Sequence, residues 1–240
     1  MTDDMEKKVK EIQNNLGREL ARSALKFETI KLSPSNPFTW ASGYKMPIYN
    51  DNRKFLAHPE ARKQIAKAFA ELLKAVELLP SLIAGTATAG IPHATTLADL
   101  LNLPLCYVRS SQKDHGLCNQ IEGLENTASL ACKQVLVVED LISTGSSSIN
   151  ACKAITDMQG LVPYCFAIFS YGMQKATDAF AKLTPTCIPV SIMTYDIMLE
   201  EALKMNYIRE EELSTLKEWK SSPFTWWEDK SKNLSAISPQ

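Results

Sequence analysis

Two adjacent acids, Glu139 and Asp140, precede a run of small hydroxyl residues and one glycine, Ser143-Thr144-Gly145-Ser146-Ser147. Carboxylates suit a sugar diol or a magnesium ion, which takes hard oxygen ligands. Backbone amides and hydroxyls at the start of a helix suit an anion, a phosphate above all. The acids cannot serve that anion. One short stretch therefore offers two neighbouring grips, one for a ribose or metal and one for a phosphate. Ser/Thr helix caps would explain the hydroxyls, but not paired acids at the end of an apolar run.

Two further stretches carry chemistry. Gly85-Thr86-Ala87-Thr88-Ala89-Gly90 brackets small residues with glycines, which lets backbone approach a ligand closely. Arg109 to Gly123 is long, polar and poor in apolar residues, with Arg109, Lys113 and His115 within seven positions. Such a stretch can be a plain solvated loop. Beside a phosphate site, its cations suit a lid over an anionic transition state.

These groups need strands and helices to aim them. Val135 to Val138 is a four-residue apolar, mostly β-branched run and reads as a strand buried on both faces, with the acids at its end. Ile149, Cys152 and Ile155 recur at helical spacing and predict a helix over 147–160. Shorter apolar runs predict strands at 82–84, 105–108, 164–169 and 188–192. Helical patterns fall between them at 92–101 and 174–183. A longer one at 59–79 carries the stripe Ile65, Phe69, Leu72, Val76 and Leu79, with Pro59 in its first turn. This alternation implies an α/β fold whose parallel sheet is covered by helices on both faces. Ligands in such sheets bind beyond the carboxyl ends of the strands, where the acids and the hydroxyl turn lie. Residues 1–30 read as a helical extension broken near Gly17. Residues 195–220 read as terminal helices and 230–240 as a loose tail. No repeat or composition shift marks a second unit, so residues 1–240 are expected to form one domain.

The bulk composition narrows the function classes. The 240 residues carry 26 Lys+Arg against 27 Asp+Glu, a net charge of −1. That balance argues against nucleic acid as a partner. No apolar run approaches the ~20 residues that span a bilayer, and the first residues lack an apolar signal core, so no membrane partner is expected. The six cysteines show no C-x-x-C spacing. Free thiols in a reducing cytoplasm are the expectation. The three histidines are not paired at zinc-ligand spacing. His58 reads as a helix-start residue and His93 as a local structural contact. The Trp226-Trp227 pair reads as cover for a surface rather than a base platform.

The segment Val135 to Ser147 resembles the phosphoribosyl pyrophosphate (PRPP) signature of the type I phosphoribosyltransferases. In that signature an apolar strand runs into two acids, two apolar residues and a Ser/Thr-Thr-Gly turn. Three more blocks are similar to the orotate-using branch of that family: Pro37 to Gly43, Pro47 to Arg53, and the Tyr107-Val108-Arg109, Lys113, His115-Gly116, Asn119 to Gly123 pattern. They lie in the family's order over roughly residues 25–220.

The resemblance implies a central, mostly parallel sheet flanked by helices, with a small hood formed by the N-terminal region. It implies transfer of ribose 5-phosphate from PRPP to orotate in pyrimidine synthesis, with Mg²⁺. It places PRPP on Glu139, Asp140, Leu141, Ile142, Ser143 to Ser147, Thr86, Ala87, Arg109, Lys113 and His115. Glu139 and Asp140 would hold ribose hydroxyls or the metal. Arg109, Lys113, His115 and Asp140 would act in catalysis, the loop reaching across a homodimer. Orotate would meet Ser143, with Arg53 as its carboxylate partner. Some members place lysine where Ala41 or Ala89 stands, and arginine where this chain has Tyr171. A purine-using transferase would share the signature but not the Lys113–His115 loop context. A PRPP-sensing regulator would call for an added basic module.

Overall fold

The computed structural model describes residues 1–40, 43–110, 120–125 and 129–228. At its centre is a six-stranded sheet built from β5 (Leu82–Thr86), β6 (Leu105–Val108), β7 (Ile121–Glu122), β8 (Val135–Ile142), β9 (Tyr164–Ser170) and β10 (Ile188–Thr194). Their spatial order is β10-β9-β8-β5-β6-β7, and all neighbours run parallel except β6 and β7. The α/β architecture expected from the alternating runs is the one observed. From β5 the chain first moves out to β6 and then returns to place β8 on the other side of β5. The order therefore reverses between β5 and β8, and a crevice opens above their carboxyl ends.

Helices cover both faces. Those numbered α3 (Pro59–Ala75), α4 (Gly90–Leu101) and α7 (Tyr195–Lys204) pack with Leu136, Val138, Phe166 and Ile192 on one side. On the other side α5 (Ser146–Asp157) and α6 (Gln174–Ala181) enclose Leu82, Ala84, Val135, Val137, Cys152 and Phe180. The period of two is visible in this division. Leu82 and Ala84 face α5 from β5, and Val135 and Val137 do so from β8.

The N-terminal extension departs from expectation at Gly17. Between α1 (Asp3–Ile12) and α2 (Arg18–Lys26) the chain stays helical but widens into a π turn over Gln13–Gly17. Gly17 lies so close to the Ile192 carbonyl that a Cβ there would collide with it. The Gln13 side chain donates to Ser191 O at 2.8 Å. The glycine thus serves close packing over the edge strand β10, covering an edge that could otherwise pair with another chain.

Two small antiparallel pairs form the hood region, β1 (Ile30–Leu32) with β4 (Ile48–Asn50), and β2 (Phe38–Thr39) with β3 (Lys45–Met46). A 3₁₀ turn over Asn52–Ala57 then leads into α3. The expected stripe on α3 holds through Val76 but not at Leu79, which is 88% exposed. Glu77 takes a left-handed conformation, φ 53°, and ends the helix before Leu79 can join the face. Near the carboxyl end, α8 (Glu210–Ser221) brings Trp219 into the core, and Trp226 also packs there. Among the described residues, no helix is long and apolar enough to cross a membrane.

Candidate active site

The crevice at the strand reversal collects most of the singled-out residues. Strand β8 runs four residues further than β5's register with it, because β9 continues to pair with it: Glu139 lies opposite Ala167, Leu141 opposite Phe169 and Ile142 opposite Ser170. The acids therefore sit within the strand rather than past its end. This pairing also turns Leu141 and Ile142 inward. Ile142 is buried in the core and its carbonyl accepts from Tyr171 N, and Leu141 packs against the opposite core.

Beyond Ile142, Ser143 and Thr144 are half-buried, and Gly145 stands at the N-cap of α5 with φ 84°. Only glycine adopts this conformation at little cost, and the Phe180 ring, 3.2 Å from where a Cβ would stand, closes the space as well. No side chain caps α5. Its first-turn amides are left for a ligand, with the Ser146 and Ser147 hydroxyls exposed beside them. Thr144 Oγ1 and Ser146 Oγ lie 3.2 Å apart across this turn. The arrangement is a pre-formed phosphate cradle.

The two acids divide. Asp140 is partly exposed at the crevice. Burial raises its carboxyl above the usual range, against hydrogen bonds and the nearby Arg53 charge that pull it down. Glu139 is 5% exposed and points the other way, toward α5. Its Oε1 accepts from Thr86 Oγ1 at 2.6 Å and from the Asp140 amide at 3.0 Å, and its Oε2 accepts from Ser148 Oγ at 3.2 Å. Burial, followed by the neighbouring Asp140, pushes this carboxyl up. Period-two geometry sends Glu139, expected to grip ribose or metal, to the α5 face with Ala84 and Val137. The hydroxyl of Thr86 is committed in the same way.

The turn at 87–89 joins β5 to α4. Ala87 is half-buried and its amide bonds Val108 O at 2.8 Å, while Thr88 is exposed. Gly90 is required here, since a Cβ would run into Thr86 Oγ1 and the Val138 carbonyl. Arg109 follows β6. Its amide donates to Gln120 O, the Gln120 side chain donates back to Arg109 O at 2.8 Å, and its guanidinium lies 3.5 Å from Glu122. These bonds fix the stem from which the loop departs. Lys113 and His115 lie outside the described residues, as does Ala41.

Arg53 is exposed on the 3₁₀ turn, where its Nε meets Asp51 Oδ1 at 2.6 Å. It thus makes a local ion pair while its charge also reaches Asp140. The preceding Asn52, buried, donates to Asp140 O at 2.7 Å. Neither Asn52 nor Ser148 was singled out from sequence. The signal for Ser148 was its spacing of four and seven from Cys152 and Ile155, which puts it on the buried face in place of half-buried Ile149. Tyr171 is 1% exposed among Trp40, Phe169, Tyr195 and Trp219. An arginine there would be a buried charge inside an aromatic cluster.

The remaining residues are structural. His58 stands at the N-cap position of α3 without a side-chain capping bond, and its ring stacks on Phe27 with centroids 3.6 Å apart. His93 is buried on α4, and burial, with Arg62 nearby, lowers it to about 4. The five described cysteines are all free. Among the described residues no cluster of three His, Cys, Asp or Glu could hold a metal. Asp140 and the turn hydroxyls are hard oxygen donors, the kind that fits a Mg²⁺ ion.

Known proteins resemble this chain in sequence and fold. A family model described as "Phosphoribosyl transferase domain" matches residues 51–160. An orotate phosphoribosyltransferase of Listeria monocytogenes serotype 4b (strain F2365) is 43% identical over 212 residues, 88% of this chain and 99% of the relative. One from Lactococcus lactis subsp. lactis (strain IL1403) is 45% identical over 216 residues, with the same coverage. In three dimensions, a crystal structure of orotate phosphoribosyltransferase from Aeropyrum pernix superimposes with a TM-score of 0.66 at 26% identity. It covers 79% of this chain and 99% of its own.

Proposed function

Because this chain belongs to the orotate phosphoribosyltransferases, we propose that the crevice between β5 and β8 transfers ribose 5-phosphate from PRPP to orotate. The products are orotidine 5′-monophosphate and pyrophosphate, on the route to UMP. A single observation carries the reading. A glycine-capped, uncapped-by-side-chain helix start stands next to a partly exposed Asp140 at the point where strand order reverses.

The 5′-phosphate rests on the amides and hydroxyls of Ser143, Thr144, Gly145, Ser146 and Ser147. Asp140 accepts from a ribose hydroxyl and stabilises positive charge as it develops at C1′. Pyrophosphate lies toward the backbone of the turn at Ala87 and toward Arg109. As the ring nitrogen of orotate gives up its proton to solvent and bonds to C1′, the C1′–O bond breaks and its electron pair leaves with pyrophosphate. Arg109, Lys113 and His115 meet that growing negative charge, and His115 supplies a proton to the departing oxygen. Mg²⁺ bound with PRPP would supply further neutralisation of the charge that grows on the leaving group, and Asp140 is the protein group that would hold it. Orotate lies against Ser143, with Arg53 toward its carboxylate. Closure of the loop excludes water, which would hydrolyse PRPP. The loop serves the neighbouring subunit of a homodimer. A cytoplasmic setting agrees with the free thiols.

Turnover separates chemistry from binding. Lys113→Ala and His115→Ala should each lower kcat by about a hundredfold or more while calorimetry still detects PRPP. Unchanged kcat in both variants would remove the loop from catalysis.

A further inference from the structure

Three buried cysteines meet on the face of the sheet that α5 and α6 cover, and none takes part in the chemistry above. Cys152 lies on α5, the helix that opens at the phosphate cradle. Its Sγ stands 3.7 Å from the Sγ of Cys187, which directly precedes β10. Cys165, on β9, is the second thiol against Cys152. The two neighbours differ in their freedom to move. Cys165 sits inside β9, paired with Val137 of β8 and Pro189 of β10. Cys187 follows Thr184, Pro185 and Thr186, all exposed, in the connection from α6 to β10. Such a connection opens far more readily than a central strand, and its opening gives a small solute a short way to both sulfurs. Hydrogen bonds from Cys165 and then Cys187 pull the Cys152 thiol down, against burial. They favour its thiolate, the form that oxidants attack.

We propose that Cys152 and Cys187 form a reversible disulfide when the folded protein meets a peroxide, fastening α5 to the start of β10. The inference does not depend on which base the crevice takes. The Cys152 sulfur attacks a peroxide oxygen, the O–O bond breaks and water leaves, which makes a sulfenic acid. The Cys187 sulfur then attacks Cys152 Sγ, the S–O bond breaks and a second water leaves. Two thiols are oxidised by two electrons, one hydrogen peroxide is reduced to two waters, and the thiol protons end in those waters. The sulfurs must close from 3.7 Å to about 2.05 Å. Side-chain rotation and a small shift of the exposed connection cover that distance. The bond spans 35 positions of sequence, a loop long enough to restrict the unfolded chain strongly.

The test exposes the native protein to hydrogen peroxide, blocks the remaining thiols and maps tryptic peptides by mass without reduction. Trypsin places the three cysteines on separate peptides, residues 134–153, 154–175 and 183–204. Peptide 134–153 should appear joined to 183–204 with the loss of two hydrogens, and dithiothreitol should part them. The joined protein should melt roughly 5 °C or more above the reduced one. Cys165→Ala should keep the bond. Cys187→Ser should lose both the bond and the gain in thermal midpoint.

A bond from 134–153 to 154–175 instead would overturn the assignment. So would the absence of any joined peptide once the exposed Cys132 is oxidised, since that shows the peroxide acted. A joined form that melts below the reduced one would also overturn it, because the fold would then have to distort to bring the sulfurs together. The wild-type peptide map decides the matter even if Cys187→Ser does not fold.

Discussion

The side-chain amide of Asn52 donates a 2.7 Å hydrogen bond to the backbone carbonyl of Asp140. This bond spans 88 positions of sequence and joins the 3₁₀ turn that carries Arg53 to the strand that carries the crevice acid. It fixes where Arg53 stands relative to Asp140.

Removing that bond should move Arg53 without removing its charge. Asn52→Ala should cost about 1–2 kcal/mol of stability, as for a lost buried hydrogen bond, and raise the orotate KM about tenfold. Arg53→Ala should raise the orotate KM further while the PRPP KM stays within about threefold. Steady-state kinetics with each substrate varied in turn reads both. An unchanged orotate KM in Arg53→Ala would reduce that residue to its ion pair with Asp51.

His93 links the fold to pH. Burial, with Arg62 adding to it, lowers the folded-state value to about 4 from an ordinary 6.5. The folded protein therefore binds the proton less readily than the unfolded chain. Stability from this group is complete above pH ~6.5 and is lost as pH falls through that value toward 4, on the order of 3 kcal/mol. Both ring nitrogens are buried without a hydrogen-bond partner among the described residues. His93→Leu should therefore be near neutral or stabilising at pH 7.5 and should flatten the loss between pH 6.5 and 4. Urea melts across that range measure it, and a strong loss of stability at pH 7.5 would show that the imidazole is needed.

Glu201 acts lower on the pH scale. Burial alone would raise it, but Lys204, Arg22 and Arg18 overcome that and hold it down to about 2. These cations lie 2.7–2.9 Å from its oxygens and clamp α2 to α7. Its contribution is present above pH ~4.5 and disappears as pH falls through about 2. Lys204 and Arg22 are well exposed and screened, so Glu201→Gln should cost about 1–2 kcal/mol at pH 7. The cost should vanish near pH 2. A cost that persists there would mean packing, not charge, is lost.

The sequence made the phosphate turn legible because its signal is local: an apolar run, two acids, small hydroxyls and a glycine. Alternation of strands and helices likewise gave the parallel sheet. What stayed hidden depends on partners distant in sequence. Paired acids look equivalent in a string, yet β9 extends β8 past them and sends Glu139 to the α5 face while Asp140 stays at the crevice. Ser148 looked like one more member of a serine run, although its spacing from Cys152 and Ile155 carried the answer. Asn52 gave no signal, since its partner is a backbone carbonyl. At Gly17 the sequence suggested a helix break, and the cause was instead the close approach of Ile192. Leu79 fitted the α3 stripe until Glu77 turned left-handed.

The most direct measurement is loss of orotate absorbance on adding PRPP and Mg²⁺, with uracil, adenine and hypoxanthine run in parallel. The account predicts rapid, Mg²⁺-dependent loss of orotate and none of the other bases. Consumption of another base with orotate untouched, or no turnover of any base while PRPP still binds, would contradict it.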